Sequence, residues 1–159
     1  MKKKPIYKKI WFWIIVIAVA GGVAASTGKK KEKAKAEAKT YSVGDTVKVK
    51  DTEFTLKGVE LTPQRNQFEK KQPAQVVKIS YSVKNNSDKD LTVGLGMVEV
   101  YGPDKKKSES YANENTIDTV APGMEKDCVA HYGLNEAGDI QINFSKLFSG
   151  GKAIFKAHV

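Results

Sequence analysis

Residues 76 to 84 of this 159-residue chain alternate between apolar and polar side chains. Val77, Ile79, Tyr81 and Val83 fall on one side of an extended chain, and lysines and serines fall on the other. Because successive side chains of a strand point to opposite faces, a period of two predicts an antiparallel strand with one buried face. An amphipathic helix would need a period near 3.6 residues instead.

The same alternation recurs along most of the chain beyond residue 40. We predict further strands in "TVKVK", "EFTLKGVEL", "KDCVAHYGL" and "DIQINF", at Met97 to Tyr101 and at Ala153 to Val159. In "EFTLKGVEL" the apolar phase shifts at Gly58, which predicts a bulge or bend. Turn-forming residues separate these segments at 43–45, 85–88, 102–104, 121–123 and 149–151. Seven or eight short strands with no helix between them predict an all-β fold, a two-sheet antiparallel β-sandwich.

A second feature is the uncharged, apolar run from Ile10 to Ala25, which follows five lysines. As a helix it would be about 24 Å long, slightly shorter than the ~30 Å hydrocarbon core of a bilayer. Tryptophans near the lysine-rich end are typical of a membrane interface, and the lysines favour a cytoplasmic amino terminus. We therefore predict that residues 1–27 are one hydrophobic helix that precedes the sandwich and anchors the chain in the cell membrane as a single pass. The anchor comprises Ile10, Trp11, Phe12, Trp13, Ile14, Ile15, Val16 and Ile17.

A cleaved signal peptide is the alternative interpretation of this run. Val23-Ala24-Ala25 puts small residues where a signal peptidase requires them, and the protein would then be secreted. A lipid-modified cysteine is not expected, because the only cysteine is Cys128. Under both interpretations residues 41–159 form an extracytoplasmic domain.

The net charge of +9 is concentrated in the first 39 residues. These residues hold 11 lysines and two glutamates, a balance of +9, which leaves 16 basic and 16 acidic residues in the rest of the chain. Phosphate binding requires several basic side chains on one surface, so we expect no nucleic-acid partner. The dense cluster Lys105 to Lys107 is predicted to be a solvated hairpin loop. Residues 28–40, rich in Lys, Ala and Glu, have no apolar face and are predicted to be a solvated linker.

Few residues of the predicted domain suggest chemistry. Strand alternation puts His131 on the face opposite Cys128, and His158 is far along the chain, so a metal site is not expected. Cys128 alternates with other apolar residues, which predicts a buried, unreactive thiol. The clusters "NNSDKD" and "NENTID" contain oxygen ligands that calcium prefers, but these are also ordinary turn residues. We therefore predict a non-enzymatic protein with no cofactor.

Several segments resemble, in order, the strands of a family of extracytoplasmic domains of unknown function from Gram-positive bacteria. These segments are "YSVGDTVKVKDTEFTLKGVEL", "VVKISYSVKNNSDKDLTV", "VYGPDKK" and "TVAPGMEKDCVAHYGL". The family is similar to a secreted mycobacterial immunoprotective antigen, which implies an immunoglobulin-like β-sandwich. The matching motifs are turn chemistry, so the resemblance implies no functional residues.

The polar connection of residues 62–75 is too long for a hairpin turn, and long loops of compact domains often bind partners. Aromatic and Arg side chains are favoured interface anchors. We therefore predict that a protein or cell-envelope component binds there, with Arg65, Phe68, Lys70 and Lys71 as contacts. Phe68 could instead pack back onto the sandwich. Two other functions stay open: a secreted carrier of a small ligand or ion, and an envelope enzyme that would depend on His131.

Overall fold

A computed structural model of the chain describes residues 38–146 and 150–159. These residues form ten β-strands and one turn of 3-10 helix, Leu95–Met97. The strands are β1 (Thr40–Tyr41), β2 (Thr46–Val49), β3 (Thr52–Leu61), β4 (Gln75–Asn85), β5 (Leu91–Val93), β6 (Val98–Tyr101), β7 (Asp118–Val120), β8 (Glu125–Leu134), β9 (Asp139–Ser145) and β10 (Lys152–His158). Thr40, the last residue of the predicted linker, thus already belongs to β1. The rest of that linker up to residue 37 and the predicted anchor helix lie outside the described residues. No helix within the described ranges is long and apolar enough to span a membrane.

The strands build two four-stranded sheets. The first has the order β1-β10-β9-β6 and the second has the order β2-β3-β4-β8, while β5 and β7 pair with each other alone. All pairs are antiparallel except β1 with β10. In chain order, β3, β4 and β8 correspond to strands A, B and E of an immunoglobulin sandwich, and β6, β9 and β10 to C, F and G. The predicted all-β antiparallel sandwich is confirmed.

Aromatic side chains from both sheets meet at Phe144 in the centre of the core. The Phe144 ring centroid is 5.3 Å from that of Phe54, 5.0 Å from Tyr81 and 5.4 Å from Phe155. Phe144 and Phe155 come from the first sheet, Phe54 and Tyr81 from the second, and all four are buried. Such ring pairs add about 0.5–1.5 kcal/mol each to the effect of burying apolar area. The cluster therefore joins the two sheets.

The phase shift in β3 is a β-bulge. Leu56 lies opposite Tyr81 and Gly58 lies opposite Ser80, so Lys57 is the extra residue. The bulge keeps Leu56 buried before it and lets Val59 pack against the core after it. The bend predicted at Gly58 is confirmed, and a bulge is the reason that the apolar pattern changes phase there.

The turn after β4 is organised around the buried side chain of Asn85. Its Nδ2 donates hydrogen bonds to the carbonyl oxygens of Lys89 (2.7 Å) and Val120 (2.8 Å). Its Oδ1 accepts from the backbone N–H (3.0 Å) and the hydroxyl (2.6 Å) of Ser87. The "NNSDKD" cluster therefore works as turn chemistry, with the amide fully used inside the protein.

We expect Phe144→Ala to lower the free energy of unfolding by about 3–5 kcal/mol, because it removes the ring that contacts both sheets and leaves a cavity. Urea denaturation followed by intrinsic fluorescence measures this loss. Ile117→Ala is the control, because the Ile117 side chain is 72% exposed and its truncation should change stability by less than about 0.5 kcal/mol. Similar losses for the two variants would show that Phe144 is not the centre of the core.

Candidate functional site

The predicted loop of residues 62–75 lies at one end of the sandwich, where residues 62–74 connect β3 to β4 and Gln75 already begins β4. The hairpin of residues 102–107 and the turn of residues 135–138 lie at the same end, because residues of all three segments line one groove there. We call this end the loop end. Strand β10 runs toward the loop end, since it finishes at His158 opposite Asp139. Because β1 is parallel to β10, the chain enters the sandwich from the opposite end.

Three side chains fix the backbone of this loop. The buried Tyr111 hydroxyl accepts a hydrogen bond from the Asn66 backbone N–H (2.8 Å) and donates to Gln72 Oε1 (2.7 Å). Gln72 Nε2 in turn donates to the carbonyl oxygens of Asn66 (2.8 Å) and Glu69 (3.0 Å). Asn66 Nδ2 donates to the Ala112 carbonyl oxygen. The loop is thus held in one conformation by partners that are up to 46 residues away.

The four predicted contact residues have different surroundings. Phe68 is 84% exposed, so its side chain does not pack back onto the sandwich. The Arg65 guanidinium donates to the carbonyl oxygens of Thr62 (2.7 Å) and Gln64 (3.2 Å) in its own loop. Lys70 and Lys71 are exposed, and Lys71 lines a groove of about 370 Å³ between this loop and the hairpin. The loop therefore presents one exposed aromatic side chain, flanked by cations, on a fixed backbone.

The residues before β7 cover the free edge of β8, which the sequence did not indicate. The backbone N–H groups of Tyr111 and Thr116 donate to the carbonyl oxygens of His131 (2.8 Å) and Val129 (2.9 Å). Side chains complete the ladder, because Asn115 Oδ1 accepts from the His131 N–H (2.7 Å) and Thr116 Oγ1 accepts from the Val129 N–H (2.9 Å). The "NENTID" cluster is therefore an edge cover. The tendency of Asn and Thr side chains to bond to nearby backbone was the one available signal.

Cys128 and His131 lie on opposite faces of β8, as the alternation predicted. Burial raises the pKa of the Cys128 thiol to about 11, so the thiol is protonated near neutral pH. His131 is also buried, and its Nδ1 lies 3.1 Å from Asn115 Oδ1, an acceptor, which assigns the ring proton to Nδ1. His158 is on the other sheet, where its Nδ1 lies 2.7 Å from Asp139 Oδ1. Within the described residues no three His, Cys, Asp or Glu side chains are grouped as metal ligands.

The two packed sheets and the loops gathered at one end define an all-β sandwich domain. A family model described as "Domain of unknown function (DUF4352)" matches residues 41–154, and the chain belongs to this family. The resemblance seen in the turn motifs is thereby confirmed. A comparison with curated proteins finds no match.

Solved structures with the same fold include two proteins of Bacillus subtilis and one of Mycobacterium tuberculosis. The candidate lipoprotein YcdA of B. subtilis is 16% identical with a TM-score of 0.61, over 71% of this chain and 38% of YcdA. The B. subtilis protein YjhA is 11% identical with a TM-score of 0.60, over 74% of this chain and 98% of YjhA. The secreted M. tuberculosis protein MPT63 is 7% identical with a TM-score of 0.55, over 77% of this chain and 99% of MPT63. At these identities the similarities show the fold alone, and the chain spans less than half of YcdA.

We expect the stability of the domain to fall as the pH is lowered from 7 to 5. Burial, and secondarily the charge of Lys78, lowers the pKa of His131 below its usual 6.5, while Glu114 opposes the shift. Below pH 6.5 the His131 side chain therefore binds a proton more readily in the unfolded chain than in the folded chain. Protonation then favours unfolding, so the free energy of unfolding decreases as the pH falls through this range. Urea midpoints at several pH values measure the effect.

His131→Gln should flatten this pH dependence, whereas His158→Gln, at an exposed site, is the matched control. The carboxylates held by ion pairs and hydrogen bonds, such as Glu99 and Asp118, have lowered pKa values and lose their contribution only in more acidic solution. If the free energy of unfolding of His131→Gln depends on pH between 7 and 5 as strongly as that of the wild type, His131 is not the group responsible.

Proposed function

We propose that this chain is a membrane-tethered, outward-facing domain without catalytic activity, and that it binds a protein or a cell-envelope component through the loop of residues 62–75. The observation that carries the proposal is the exposed Phe68 ring on a backbone fixed by Asn66, Gln72 and Tyr111. A preordered aromatic anchor loses little conformational entropy when it is buried by a partner. The basic side chains of Arg65, Lys70 and Lys71 would surround the anchor at the rim.

The direction of the chain supports an outward-facing loop. The described chain enters β1 from the end of the sandwich opposite the loop end. A tether that precedes β1 would therefore leave the loop of residues 62–75 pointing away from the attachment point.

An extracytoplasmic location has two independent supports. The apolar run of residues 10–25 after a lysine-rich terminus has the composition of an anchor or a signal peptide. Among proteins of the same fold, YcdA is a candidate lipoprotein and MPT63 is secreted. The proposed absence of catalysis is supported by the buried, protonated Cys128 and by the use of His131 in holding the cover of β8. An activity that is lost in a His131 variant would revive the enzyme hypothesis.

We expect Phe68→Ala to weaken partner binding at least about tenfold, as truncation of an aromatic hot spot does. The full-length chain would be used to capture envelope components from a Gram-positive host, and each captured component would then be purified and its Kd measured. Ile117→Ala removes another exposed apolar side chain that is outside the loop and serves as the matched control.

The loop hypothesis fails if the double variant Arg65→Ala, Phe68→Ala retains wild-type affinity for every captured component. Because Arg65 also bonds to its own loop, the single variant Phe68→Ala separates loss of contact from loss of loop structure. If Ile117→Ala is the only variant that weakens binding, the partner contacts the sandwich at Ile117 and not at the loop of residues 62–75.

Fractionation of a Gram-positive host that expresses the chain tests the tether. We expect the intact chain, with its original amino terminus, in the membrane fraction after a high-salt wash, because a spanning helix is not released by salt. Mass spectrometry of the mature terminus provides the measurement. A soluble product that begins at or near Ser26 would replace the anchor with a cleaved signal and favour a secreted carrier of a small ligand or ion.

A further inference from the structure

A cleft lies beside, and not on, the loop of residues 62–75. It has a volume of about 740 Å³ and opens on the outer face of the sheet that contains β6, β9 and β10. The hairpin of residues 102–107 forms one wall, and no residue of the loop lines the cleft. Volumes of this size suit a small organic ligand. Its polar and aromatic lining comes from Tyr101, Lys105, Asp139, Gln141, Lys156 and His158.

The charged groups of this cleft do not cancel. Asp139 is the one carboxylate of the lining, and its Oδ1 lies 2.7 Å from His158 Nδ1, at hydrogen-bond distance. Neither Lys105 nor Lys156 has an ion pair within residues 38–146 and 150–159. The cleft therefore holds two ammonium groups without an ion pair against one carboxylate, and an anion complements this excess of positive charge.

The hairpin backbone places Lys105 at one wall of the cleft. The Lys105 N–H donates to the Gly102 carbonyl oxygen (2.9 Å) and the Gly102 N–H donates to the Lys106 carbonyl oxygen (3.0 Å), a hairpin with its third residue in the left-handed region. Lys105 occupies that position with φ of 60°. Glycine is strongly favoured there because it has no Cβ. Lys50, in the turn between β2 and β3, has φ of 57° as well, so the conformation of Lys105 belongs to the turn and costs some stability that a glycine would not.

Neighbouring side chains on the floor of the cleft suit a hydroxylated ring. Tyr101 of β6, Gln141 of β9 and Lys156 of β10 lie side by side across three strands at one register. Tyr101 is half-buried and lines the cleft, and aromatic faces pack well against apolar ring surfaces. Gln141 Nε2 donates to Asn143 Oδ1 (2.9 Å), which leaves Gln141 Oε1 as an acceptor.

We propose that this cleft binds an anionic sugar that bears a carboxylate or a phosphate group. Lys105 and Lys156 contact the anionic oxygens, the Tyr101 ring packs against the sugar, and Gln141 accepts a hydrogen bond from a hydroxyl group. The site is separate from the proposed partner loop, so each proposal can fail without the other.

Isothermal titration calorimetry on the full-length chain in a mild detergent tests the proposal. The probes are a glucuronate-containing tetrasaccharide, glucose 6-phosphate, inorganic phosphate and the neutral tetrasaccharide maltotetraose. We expect at least one anionic sugar to bind at millimolar concentration or below, more tightly than inorganic phosphate and maltotetraose, and more weakly as the salt concentration rises.

The variants separate charge from backbone strain. Lys105→Gln and Lys156→Gln should each weaken anionic-sugar binding about tenfold, because each removes one charge-assisted hydrogen bond. Lys105→Gly should weaken binding equally yet raise Tm by about 2–5 °C, because glycine relieves the strained conformation. Lys48→Gln, on β2 of the other sheet, is the matched control and should change neither quantity.

Four results would overturn the proposal. Three of them are wild-type binding by both Lys105→Gln and Lys156→Gln, equal binding of the neutral and anionic sugars, and no binding of any probe at millimolar concentration. The fourth is equal affinity for inorganic phosphate and glucose 6-phosphate with the glucuronate probe unbound. This result would show that the cleft binds anions and does not recognise a sugar.

Discussion

The contact of Phe144 with rings from both sheets is the interaction on which the other features depend. The only cysteine in the chain is the unpaired, buried Cys128, so no disulfide within the chain joins the sheets and packing must do so. A directional bond accompanies the packing, since the Tyr132 hydroxyl of one sheet donates to the Val98 carbonyl oxygen of the other at 2.6 Å. Aromatic packing sets the separation of the sheets, and this buried hydrogen bond limits how they slide.

Two segments of the chain cover the outer edges of β8 and β6. The segment before β7 pairs with β8, and the Ser108 N–H donates to the Val100 carbonyl oxygen on the outer side of β6 (2.8 Å). Uncovered edges invite pairing with other chains, and these two segments occupy that position on β8 and β6. Tyr111 belongs to the cover of β8 and also holds the loop of residues 62–75. The loop of residues 62–75 is therefore ordered by the same segment that covers β8.

The sequence predicted what is local and periodic. The long strands and the bulge at Gly58 follow from alternation that is readable over a few residues. Strands β5 and β7 have three residues each, too few for a period of two to be visible, and they were not predicted. The loop was found from its length and composition, but the bond from Asn66 to Tyr111 spans 45 residues and has no local signature. Likewise, only the register of three strands brings Lys156 beside Tyr101.

The hairpin of residues 102–107 links the two proposed sites at the loop end. Lys105 lines the sugar cleft, whereas Lys106 and Lys107 line the groove beside the loop of residues 62–75, and Gly102 borders both. Asp104 fixes the hairpin, because its carboxylate accepts from the Lys106 N–H and from Asn135 Nδ2, both at 3.0 Å. A hairpin that is rigid in this way can present different lysines to opposite sides without moving. The two proposed sites therefore share one wall but differ in chemistry. The loop of residues 62–75 offers an exposed aromatic ring to a partner, and the cleft offers two lysine side chains to an anion.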